Sequence, residues 1–255
     1  MRGKVMHTGH GVLVVTILVL SACSDGSEAP RLKVPVLVDS SGITPAVNDL
    51  GWRVELSRAH VVLSNFEFTT EGETHASLWR GLADLIVPRA FAHPGHLAGG
   101  EVIGELPGRF VFDWVADDGQ ELGQAELIAG RYQGLNFSFG SESAAPFGGA
   151  SFYLEGIAEK DDLSIAFSGA ITLDPAVKMV GAPFELELEG GGSLEVGLQL
   201  LSVDPSEGDT AFDHLDFGAL DIDGDGILEI APTSTAHNIL RRNLQAHDHY
   251  RALEL

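Results

Sequence analysis

Residues 51–68 read GWRVELSRAHVVLSNFEF. Trp52, Val54 and Leu56 alternate with Arg53 and Glu55, and Val61, Leu63, Phe66 and Phe68 continue the run in residue types that favour strands. A period of two sends successive side chains to opposite faces, so this stretch predicts strands with one buried side. The pattern recurs in 109–115 (RFVFDWV), 135–139 (LNFSF), 151–157 (SFYLEGI), 163–167 (LSIAF) and 184–188 (FELEL), between clusters of Gly, Pro, Asp and Asn. Asp117-Asp118-Gly119 and Gly190-Gly191-Gly192 supply hairpin turns, because glycine reaches positive φ without a steric cost. Many short strands between such turns predict a mainly β fold, an antiparallel β-sandwich or barrel-like domain. Helix is confined to Ala76–Ile86, stopped by Pro88, and to a segment near the C-terminus that opens near Thr235 and runs through Ile239–Leu244. No internal repeat with a period of 20 to 50 residues stands out.

The 255 residues carry 37 acidic against 15 basic side chains, a formal net charge of -22, and 44% are hydrophobic. That much apolar content can build a core, which argues against intrinsic disorder. The charge excludes nucleic acid as a partner, since a polyanion is repelled over most of the surface, and it favours cations. With one cysteine there is no internal disulfide and no thiolate metal cluster, so a metal must be held by carboxylate, carbonyl or imidazole. Composition shows no break after the tether, and residues 34–255 are expected to form a single β-rich domain.

The N-terminus has a basic start, Arg2 and Lys4, and then ten apolar residues, Gly11 to Leu20 (GVLVVTILVL). Ten residues are too few to span a bilayer, but they suit a secretory signal. The next four, Leu20-Ser21-Ala22-Cys23, resemble the lipobox of bacterial lipoproteins. That resemblance implies a signal peptide over 1–22, cleavage before Cys23 and acylation, palmitate included, of that cysteine. Several acyl chains hold a protein on a membrane without a transmembrane helix. Ser24 in place of an aspartate implies sorting to the outer membrane. Residues 23–33, small, polar and containing Pro30, read as the acylated cysteine and a flexible tether.

Two histidine groups invite a metal. His93-Pro94-Gly95-His96 sets two imidazoles on a tight turn, and Glu101 or Glu105 follows at the start of the next strand, giving a nitrogen and oxygen set suited to zinc or copper(II). Its alternative is an exposed turn whose histidines bind nothing. His247 and His249 flank Asp248 and share a face only if that segment is extended. A clamp closing His93 and His96 against His247 and His249 would gather enough ligands, whereas a polar tail would leave the last two idle. His60 lies within the strand-like run and is expected to be a hydrogen-bonded core or edge residue. The opening Gly-Trp strand, the AHPGH turn and Gly100-Glu101-Val102-Ile103-Gly104-Glu105 together resemble a group of uncharacterised bacterial envelope lipoproteins over roughly residues 50–140. The resemblance implies an envelope location and a role with metal, and it carries no catalytic residue.

The sharpest motif is Asp221-Ile222-Asp223-Gly224-Asp225-Gly226-Ile227-Leu228-Glu229, whose DxDxDG opening resembles EF-hand calcium loops. Carboxylates at positions one, three and five converge on a hard cation, glycine at six permits the sharp turn, and the apolar residue at eight anchors the loop. Ile227, at position seven, would offer its backbone carbonyl. Position twelve is Pro232 rather than glutamate and no EF-hand helices flank the loop, so Glu229, Asp213 or Asp216 would have to complete the shell. The competing reading is an acidic turn without an ion.

The chain has no GxSxG elbow, HExxH helix, Walker loop or GxGxxG after a strand, and no enzymatic activity is expected. Two classes remain. One is an outer-membrane-anchored lipoprotein that binds metal ions, a transition metal at the histidine turn and calcium at the aspartate loop. The other is a structural or interaction lipoprotein of the envelope that uses calcium only for stability.

Overall fold

The computed structural model describes residues 31–70, 100–189 and 194–255. The leader, Cys23, most of the tether, the Ala76–Ile86 segment, His93 and His96, and the Gly190-Gly191-Gly192 turn lie outside the described residues. The fold is mainly β. The strands are β1 (Arg31–Asp39), β2 (Ala46–Val47), β3 (Arg53–Thr69), β4 (Val102–Asp113), β5 (Glu121–Ile128), β6 (Gly130–Phe139), β7 (Phe152–Lys160), β8 (Leu163–Ile171), β9 (Lys178–Leu188), β10 (Val196–Leu200), β11 (Ile227–Glu229) and β12 (Tyr250–Glu254). Among the described residues two α-helices complete them, α1 (Phe217–Leu220) and α2 (Thr235–Leu244).

The alternating stretch from Arg53 to Thr69 forms β3, and its length decides the architecture. Its C-terminal part pairs with β4 on one side and β6 on the other, and its N-terminal part pairs with β7. Following the pairings from β3 through β4, β5, β1, β10, β12, β9 and β6 returns to β3, so eight of the described strands close a ring. Strands β7, β8 and β11 form a sheet that continues past the ring along the N-terminal half of β3. The register shifts between Ser64 and Phe66 and between Leu56 and Arg58 lie along this long strand, where bulges bend and twist it from one sheet into the other.

The expected barrel-like fold is therefore present, but its sheet is mixed. β1 runs parallel to β10, β9 to β12 and β8 to β11. Parallel neighbours need long connections, and each of these pairs is separated by many intervening residues. Arg31, the first described residue, is already paired, three residues before the expected start at Val34: Leu32 lies opposite Leu127, while Arg31 and Lys33 take the outward positions of the alternation.

A ring of eight strands leaves an interior that side chains can fill. Val34, Phe66, Phe112, Leu127, Phe137, Phe184, Leu198 and Tyr250, one from each ring strand, belong to a single buried cluster. Ring centroids of Phe137 and Tyr250 are 5.1 Å apart, Phe68 and Phe184 5.5 Å, and Phe137 and Phe139 5.5 Å, distances that suit tilted aromatic contacts. Trp114 plugs the end near β10 and donates its indole N–H to the Leu198 carbonyl at 3.0 Å. The ring is thus a packed core.

Candidate metal loop and the histidines

The aspartate loop hangs between α1 and β11 at the open side of the appended sheet. Asp216 caps α1, its carboxylate accepting from the Ala219 N–H and from the Trp52 indole, both at 3.3 Å. The indole packs on Phe217 with centroids 5.7 Å apart, which fixes the helix to the start of β3. At the other end, Leu228 is 7% exposed and joins the core, while β11 runs beside β8, with Ala166 N–H donating to the Gly226 carbonyl at 2.9 Å and Ile230 N–H to Ser168 at 2.8 Å. The apolar anchor expected at position eight is in place.

Between these fixed points the loop folds on its own carboxylates. Asp221 accepts from the Gly224 N–H through Oδ1 and from the Gly226 N–H through Oδ2, each at 3.0 Å, and Asp225 accepts from Ile227 N–H at 2.9 Å. Gly224 and Gly226 have φ of 70° and 81°, a left-handed backbone that a side chain would strain, so both glycines are demanded by the turn. Asp221, Asp223 and Asp225 each present an oxygen such that all three lie within 4.8 Å of one another. Calcium sits about 2.3–2.6 Å from its oxygens, so two oxygens on one ion are at most about 5 Å apart. The spacing is compatible with one shared hard cation. Asp221 is half-buried and the other two are exposed.

The remaining residues expected at this loop are placed differently. Asp216 is occupied by its cap and the indole, and Asp213 accepts from Thr210 Oγ1 at 2.5 Å and from Asp49 N–H at 3.1 Å. Glu229 is exposed on β11 opposite Ser168 and is not one of the three converging carboxylates. Ile227 is the first residue of that strand. Helix, loop and strand follow one another here, not helix, loop and helix.

The C-terminal histidines are part of the framework. His247–His249 forms a 3-10 turn, so the two rings diverge by about 120° instead of sharing the face of an extended segment. His247 lies 2.9 Å from Asp248 Oδ1, and His249, 4% exposed, places Nδ1 3.2 Å from the Leu201 carbonyl. This stretch leads into β12 inside the ring, which corrects the reading of it as a polar tail. Glu101 is exposed just before β4. Among the described residues, Glu101, His247 and His249 form no metal-sized group. His60 is a half-buried residue of β3 with Nε2 3.4 Å from Asp113 Oδ2, flanked by Phe147 and Tyr153.

Two buried groups had no local signal in the sequence. Asp113 accepts from the Ala59 and Val115 N–H groups at 3.0 and 2.9 Å. His237 of α2 is also buried and accepts the Thr172 N–H at Nε2, 3.2 Å away. Burial pushes the His237 imidazole below its usual range, and burial does the same to His249 despite the opposing Leu201 carbonyl. The Ala59 and Thr172 contacts join chain-distant partners, which no short motif records.

Comparison with family models, with curated proteins and with solved structures finds no match for this chain.

Proposed function

We propose that this protein is a lipid-anchored domain of the bacterial cell envelope, on the outer membrane, that binds calcium at Asp221, Asp223 and Asp225 and uses it to stiffen the edge of the appended sheet. Calcium binding is carried by the convergence of the three carboxylates within 4.8 Å on a loop held at both ends. The anchor rests on the leader and the Leu20-Ser21-Ala22-Cys23 motif. A structural or interaction role, not catalysis, is the reading favoured by a ring whose interior is packed with aromatic side chains. A transition-metal site at His93 and His96 has only the sequence behind it, because His247 and His249 are engaged in the 3-10 turn and with Leu201.

Cys23→Ser tests the anchor: the variant is expected to leave the membrane fraction or to accumulate uncleaved, and unchanged membrane association rejects it. Elemental analysis of the purified protein, with calcium competed against zinc and copper, tests the metal. Stoichiometric calcium that is lost in Asp223→Ala supports the proposal. Tight zinc or copper that is lost in His93→Ala/His96→Ala would move the function to the histidine turn.

A further inference from the structure

The pairings give the ring two distinct ends. At one lie the first residue of β1, the turn from β5 to β6 and the last residues of β3, β9 and β12: Arg31 pairs with Ile128, Thr69 with Val102, and Gly130 with Leu188. At the other lie Asp39, Asp113, Phe139 and Tyr250, and beyond them the free half of β3 carries the appended sheet. Ile227 pairs with Ala166, Ala166 with Ile157, and Ile157 with Glu55, so the aspartate loop sits level with Glu55. From Thr69 to Glu55 is about 46 Å along β3, at roughly 3.3 Å per residue.

Cys23 is only eight residues before Arg31, the first described residue and already paired with Ile128. Fully extended, eight residues span no more than about 29 Å, less than the roughly 46 Å of β3 that separates the two levels. We infer that the ring end carrying Arg31 faces the lipid surface and that the aspartate loop and the β7–β8 hairpin point away from it. The calcium loop is thereby presented to the aqueous compartment and to whatever other envelope component meets this protein.

This inference rests on acylation of Cys23, and the test separates the two. Cys23 is the chain's only cysteine, so once acylated it leaves single introduced thiols free for labelling. The full-length lipidated protein, reconstituted in vesicles containing an acceptor-labelled phospholipid, is labelled with a donor at Arg131→Cys near the proposed membrane end, or at Asp162→Cys or Ile222→Cys at the far end. Arg131 and Asp162 are exposed, and Ile222 is 95% exposed, so labels there disturb no packing. Energy transfer to the bilayer is expected to be severalfold greater from position 131 than from 162 or 222. Equal or reversed transfer on vesicle-bound protein overturns the orientation while leaving the anchor intact. Protein that stays soluble, with an unmodified Cys23 by mass, overturns both.

Discussion

Asp221 and Asp223 do different work in the same loop. Asp221 accepts the N–H groups of Gly224 and Gly226, so it shapes the turn with or without a cation, whereas the exposed Asp223 contributes its charge to the group of three. Asp221→Ala is expected to cost about 1–2 kcal/mol even in chelator, the usual loss when hydrogen-bonded groups lose a shared acceptor. Asp223→Ala should leave stability in chelator nearly unchanged and abolish the gain from calcium, about 2.7 kcal/mol at a hundredfold excess over Kd in the wild type. Denaturant titrations in calcium and in chelator read both. A wild type equally stable in the two conditions removes the site. His237 and His249 contribute to the acid side of the stability profile. Burial lowers both imidazoles in the folded state, so the unfolded chain binds protons more readily and stability rises with pH. Their contribution is fully present above the unfolded value near 6.5 and declines as pH falls below it. Unfolding free energy measured from pH 8 to 5 should fall on acidification, and His237→Gln should flatten part of that slope.

At the scale of the element, α2 shows how a cap and a packed face together hold a short helix. Ser234 accepts the His237 N–H at 3.1 Å, Arg241 and Arg242 stand in the last turn where they oppose the helix dipole, and Ala236, His237, Leu240 and Leu244 are buried. Ser234→Ala is expected to destabilise by about 1 kcal/mol, and Ser234→Asp to retain most of the wild-type stability, both by thermal melting. The sequence foresaw this helix because its signals are local. It foresaw β3, β6, β7 and β8 for the same reason: alternation with strand-favouring residues is visible in a window of a few side chains. β1 and β12 escaped it. Each is assigned by partners far along the chain, β1 by β5 and β10 and β12 by β10 and β9.

At the scale of the whole molecule, the ring is held by its contents. Phe137 is fully buried and touches Phe66, Phe139 and Tyr250, with centroids 6.1, 5.5 and 5.1 Å away. Phe137→Ala should cost about 3–5 kcal/mol, from lost transfer energy and the cavity left behind. Because those neighbours belong to different ring strands, the loss should appear as one shifted cooperative transition in both near- and far-ultraviolet circular dichroism. Separate transitions in the two signals would mean that ring and appended sheet unfold independently.

The sequence by itself determined the β class, the C-terminal helix and the spacing of Asp221, Asp223 and Asp225. Each is written in near-neighbour periodicity, capping residues or a loop whose glycines and carboxylates stand within six positions. Only the tertiary structure decided that the strands close into a ring, that three pairings run parallel, that Asp213 and Asp216 are spent on other partners, and that His249 faces Leu201. Those outcomes depend on which distant segments meet, and a strand's alternation says which face is buried without saying against what.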